Sequence, residues 1–179
     1  MSKLEGCGKI PDYVGKAAEM CQPAIAFTEH GSMRGYYSSH MACEDVGVKA
    51  IHGIEFYVSN DMNRKGLTED EKAEITKGLK ANERKAAIKN YENIHGIRDR
   101  WHLTVWAKNN EGLKNLFELS TAAYVDGFYY KPRIDLDALI EHGEGLVVGT
   151  GCMSSAIYDK ALSGKRRQAF EIADKLRDK

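Results

Sequence analysis

Four short runs of apolar residues punctuate the chain, at 24–27, 49–58, 102–107 and 145–150. The first is short and continuous, the pattern of a strand covered on both faces, and the other three also read as strands. The second run reads as interrupted at Gly53. Between the runs lie stretches with helical spacing. Pro11 opens one, with Tyr13, Val14, Ala17, Ala18 and Cys21 as its stripe and Pro23 as its stop. A second spans 33–46 and ends at Gly47. A third, capped by Asn109 or Asn110, runs to Ala123 and packs through Leu113, Leu116, Phe117, Leu119 and Ser120. Shorter helices are expected at 136–142 and 166–177. Strands alternating with helices predict an α/β fold with mainly parallel strands, open or closed into a barrel. In either form, sites gather at the carboxyl ends of strands.

The stretch 60–100 breaks this rhythm, being rich in Lys, Glu and Asn. Thr68 followed by Glu69, Asp70 and Glu71 predicts a capped helix start, so one or two exposed helices or partial disorder are expected there. The chain has 26 basic and 26 acidic side chains among 179 residues. A free-standing nucleic-acid binder carries a basic excess, so any work near DNA is expected through a larger assembly. No apolar run is long enough to span a bilayer, and no secretion signal core is present. Four cysteines without CxxC spacing read as reduced thiols, and the expected location is the cytoplasm.

The strand ends carry the chemistry. Glu29 and His30 close the first strand and precede a glycine. Each can ligate a divalent metal, although an acidic residue in that place is also a common helix cap. Glu55 sits inside an apolar strand, where a carboxylate either faces water or needs a partner or an ion. His102 opens a strand and Cys152 follows one; either can be a structural residue or a metal ligand. Lys131, Arg133, Lys165, Arg166 and Arg167 are surface charges that could meet a DNA backbone or a neighbouring domain. Gly149-Thr150-Gly151 lacks the lysine of a nucleotide loop and reads as a turn, and Ser154 and Ser155 have no identified base.

The order of these segments is more specific than any one of them. The chain reads AIAFTEHGSMRG, then GVKAIHGIEFYV, then HLTVWAKNNEGLKNLFELSTAAYVDGFYYKPRID, then EGLVVGTGCMSSAI. This succession resembles the PHP domain (polymerase and histidinol phosphatase) of bacterial-type DNA polymerase III alpha subunits. The HLT, AKN and GFYYKPR elements are similar to the polymerase branch in particular. The resemblance covers nearly the whole chain apart from 60–100.

The resemblance implies a partial, distorted (β/α)7 barrel in a single domain at 1–179, with a charged helical insert at 60–100. It also implies a metal cleft built from Glu29, His30, Glu55, His102 and Cys152. Glu29 stands where the family has aspartate, a longer arm that would displace a bound ion. The family's H-x-H motif is expected upstream of Leu4-Glu5-Gly6, and its D-x-H motif beyond Lys179. On that basis the chain is expected to be a fragment, an excised piece or one part of a split protein. The implied role is a PHP segment in DNA replication, mainly structural, with an incomplete metal site. Zinc, manganese or magnesium would be held weakly or not at all. A metal-dependent phosphoesterase or 3′–5′ exonuclease of proofreading type is the alternative, since such chemistry needs metal to polarise phosphate and activate water. A further alternative is an assembly piece of a split polymerase. The expected partners are the remainder of the polymerase or a second polymerase chain, with DNA met only through that assembly and no membrane. No polymerase carboxylate set can be placed, so nucleotidyl transfer is not expected from the chain alone.

Overall fold

A computed structural model describes residues 8–177. Cys7 and the Leu4-Glu5-Gly6 segment lie outside the described residues. The elements follow in the order α1 (Ile10–Glu19), β1 (Ala24–His30), α2 (Tyr36–Val46), β2 (Lys49–Val58), α3 (Glu69–Ile75), α4 (Ala81–Ile94), β3 (Trp101–Ala107), α5 (Asn110–Val125), β4 (Arg133–Ile134), α6 (Leu136–Glu141), β5 (Leu146–Gly149), α7 (Ala156–Leu162) and α8 (Arg166–Arg177).

The sheet runs β1-β2-β3-β5, with β4 also on β2. It is mixed rather than mainly parallel: β1 and β4 run parallel to β2, whereas β3 is antiparallel to both β2 and β5. The direction reverses across the long 60–100 segment, which returns the chain antiparallel to β2. One edge of β2 is shared. β1 pairs with it as far as Glu55, opposite His30, and β4 takes over at Tyr57 and Val58.

Successive side chains of a strand point to opposite faces. Ile54, Phe56 and Val58 of β2 and Leu103 and Val105 of β3 share one face, and all are buried. Leu116, Leu119 and Ala123 of α5, Ile134 and Leu139 close the core over them. Full burial of such a side chain contributes about 1.5–3 kcal/mol. The alternate residues Glu55, Tyr57, His102, Thr104 and Trp106 line the other face and are only half-buried.

Gly53 does not interrupt β2. A Cβ there would come within 2.5 Å of the Val105 carbonyl oxygen and 2.7 Å of the Trp106 ring, and one at Gly149 would lie 2.7 Å from the same indole. The two glycines therefore make room for Trp106 on the half-open face.

The insert is less solvated than its composition predicts. Thr68 accepts from Glu71 N as the cap of α3, as the sequence leads one to expect. Met62, Leu67, Thr76, Glu92 and Ile97 are buried. Arg133, expected at the surface, is itself fully buried. Its guanidinium donates to the carbonyl oxygens of Gly127 (3.1 Å), Met62 (3.3 Å), Arg64 (2.9 Å) and Ile97 (3.5 Å). Burial pulls its pKa below the usual guanidinium value. Arg133 thus ties the insert to β4 and is not available to DNA.

Candidate metal centre

The register of the ladder places three donors side by side. His30 ends β1 directly opposite Glu55 of β2, and Glu55 lies opposite Thr104 of β3, two residues from His102. The Glu55 carboxylate reaches both rings. Oε1 lies 2.7 Å from His102 Nδ1, and Oε2 lies 3.2 Å from His30 Nδ1. One ligand atom from each residue falls within 4.8 Å of the other two, close enough to share an ion. The three side chains are 18–25% exposed, so the group is accessible from solvent without being fully hydrated.

Cys152 lies beside His102, with Sγ 3.7 Å from the same Nδ1 that Glu55 meets. It is held there by the main chain: Ser154 N donates to Cys152 Sγ at 3.4 Å, and His102 N donates to Ser154 O at 3.0 Å. Tyr57 completes the wall, its ring 6.3 Å from that of His30 and edge-on to His102 at 5.3 Å. Tyr57 was not singled out from sequence. Its signal was the spacing from Glu55, since positions two apart in a strand share a face.

Glu29 lies elsewhere. Being adjacent to His30 in a strand, it points to the helix-covered face, and its Oε2 accepts from Gly35 N at 2.8 Å, at the start of α2. The structure therefore brings together His30, Glu55 and His102 of the five candidates, places Cys152 beside His102 alone, and sets Glu29 apart as a helix-terminus acceptor.

The donor set fits a divalent cation. Two imidazoles and one carboxylate suit zinc or manganese, and the Cys152 thiol beside His102 is a further donor type that zinc accepts. Magnesium, which prefers oxygen ligands in a strict octahedron, fits poorly.

The PHP domain family matches residues 1–179. The chain belongs to the PHP domain family. This PHP chain is similar to the DNA polymerase III subunit alpha of Treponema pallidum (strain Nichols), with 34% identity over 176 residues, covering 98% of the chain and 13% of the relative. The corresponding subunit of Aquifex aeolicus (strain VF5) is 34% identical over 179 residues, covering 99% of the chain and 14% of the relative. That of Mycobacterium tuberculosis (strain H37Rv) is 30% identical over 181 residues, covering 99% and 14%. The PHP chain thus spans about one seventh of the length of these relatives. Among the described residues, no helix is long and apolar enough to cross a membrane.

Proposed function

We propose that this PHP chain is the PHP segment of a DNA polymerase III alpha-type replicative polymerase, where it is mainly structural and holds one divalent ion. The observation that carries this reading is the His30–Glu55–His102 cluster, set in a sheet whose sequence aligns along its length with polymerase alpha subunits. Assembly with the remainder of the polymerase is part of the proposal, and so is contact with DNA through that assembly. The location is the cytoplasm, where replication proteins of this kind work and where Cys152 would stay reduced.

The ion of choice is zinc, with manganese second. Bound there, it would supply Lewis acidity toward a phosphate oxygen. The chain's own residues set the terms. Glu55 orients both imidazoles through their Nδ1 atoms, and Tyr57 restrains the His30 and His102 rings. Cys152 adds a soft donor beside His102. Structural sites close on their ion, whereas catalytic sites keep one position open. The structural role requires Cys152, which lies beside His102, to close the site as a fourth donor to the three that converge.

The second reading, a metal-dependent phosphoesterase or 3′–5′ exonuclease, is favoured by the solvent access of the same cluster. One experiment separates the two. Zinc and manganese are titrated into the purified chain by calorimetry, and hydrolysis of a labelled single-stranded oligonucleotide is followed with and without chelator. One bound ion and no hydrolysis is the expected result. Hydrolysis abolished by chelator and by Glu55→Ala would establish the second reading, and absence of any metal binding would remove both metal roles.

A further inference from the structure

A groove of about 240 Å³ is lined by Arg98, Arg100, Tyr129 and Tyr130. Lys131 follows Tyr130 directly in the chain. Its ammonium sits 5.4 Å from the centre of the Tyr57 ring, and that ring in turn faces His30. The chain makes a costly turn to form the groove. Tyr130 adopts φ 60°, a left-handed conformation that glycine takes freely and tyrosine does not. The turn is held by Tyr129 N donating to Lys131 O at 3.1 Å. In this conformation the Tyr130 ring is not tucked into a core; the residue is 66% exposed. It stands edge-on to Tyr129 at 4.6 Å, with the Arg98 guanidinium 5.6 Å from its centre. Strained residues that gain no packing are the ones to examine for a ligand.

The charges at the groove are unequal. Arg98 is neutralised by Glu92 at 2.9 Å. Arg100 is exposed, and no ion pair to it is found among the described residues. An open aromatic face beside an uncompensated guanidinium matches a ligand that carries a planar ring next to an anion. The volume is below the roughly 300–1,000 Å³ of pockets that enclose a whole small ligand. It suits one unit of a longer chain. Aromatic platforms next to cations that track a backbone are how single strands are held without sequence preference.

We propose that the Arg98–Arg100–Tyr129–Tyr130 groove is a binding subsite for single-stranded nucleic acid. A base stacks on Tyr130, a phosphate meets Arg100, and the next phosphate runs toward Lys131. The inference rests on the proposed function for its ligand class, since that reading places the chain beside DNA, but it makes no use of the metal cluster.

The test is fluorescence anisotropy with a labelled oligothymidylate of about 12 nucleotides, in chelator and at low salt. Tyr130→Gly removes the ring and relieves the backbone, so the fold is retained or stabilised while affinity falls about tenfold. Tyr130→Phe keeps the ring and the affinity. Arg100→Gln weakens binding and reduces the slope of log K against log salt by about 0.7. Absence of binding overturns the proposal, as does affinity unchanged in both Tyr130→Gly and Arg100→Gln; the groove would then be left to a protein partner. Because chelator is present throughout, these outcomes are independent of whether His30, Glu55 and His102 bind metal.

Discussion

The two faces of the sheet are built to opposite rules. On one, Ile54, Phe56, Leu103 and Val105 are almost fully buried under α5 and α6. On the other, Glu55, Tyr57, His102, Thr104 and Trp106 stand half-open, and one buried atom, Trp106 Nε1, has no hydrogen-bond partner among the described residues. The same strands supply both faces by alternation, so stability and chemistry are interleaved residue by residue. The covered face is mostly apolar, with Glu29 and His52 as its polar members at the α2 end. The open face holds polar groups that the fold does not itself need.

The contrast is most easily broken at Phe56. Phe56→Ala is expected to lower stability by about 3–5 kcal/mol in urea denaturation, because the cavity cannot be refilled. A loss below about 1 kcal/mol would mean the covered face is not the core. Glu55→Gln, one residue away on the other face, should leave the denaturation midpoint nearly unchanged. Zinc affinity measured by calorimetry should drop by at least about tenfold, since loss of even an outer partner has that effect. If stability and affinity fall together, the division of labour between faces is wrong.

A pH series sharpens the comparison on the covered side. His52 lies on the core face against Phe27, Tyr36 and His40, and its Nε2 has no hydrogen-bond partner among the described residues. Burial, with a smaller contribution from His40, holds its pKa below the ordinary 6.5. The folded state therefore binds fewer protons than the unfolded state once the pH drops below that value. Stability is full above it and declines as pH falls toward the folded pKa, by at most about 1.4 kcal/mol per pH unit. His52→Phe should flatten this limb in denaturation curves. The smallest effect is expected at Glu29. Glu29→Gln, which keeps an acceptor for Gly35 N, should cost about 0.3–1 kcal/mol through the start of α2 and leave zinc affinity unchanged. A metal defect in this variant equal to that of Glu55→Gln would return Glu29 to the cluster.

Much of the fold was legible from periodicity. The limits of β2 and α8 coincide with those read from the sequence, and the cap at Thr68 was evident from its residue types. What escaped was non-local. Strand direction depends on how the 60–100 segment folds back, which no local pattern encodes. β4 is two residues long and exists only because β2 extends beyond β1. The helix α7, following Ser155, was hidden by the turn before it. Arg133 looked like surface charge because composition cannot reveal four carbonyl oxygens converging from distant loops. Glu29 and His30 were grouped as a pair, although neighbours in a strand diverge; that separation could have been read in advance from the strand assignment.

The shared edge of β2 has a mechanical consequence. Glu55 is gripped on both flanks, by β1 at His30 and by β3 at Thr104. It cannot slide relative to either histidine without unzipping a ladder. The gap between the donors is therefore gauged by the main chain before any cation arrives, and the entropy of gathering them has been spent during folding. A cation bound there would meet a jaw of preset width, and the preference among cations would become a question of which radius the jaw closes on.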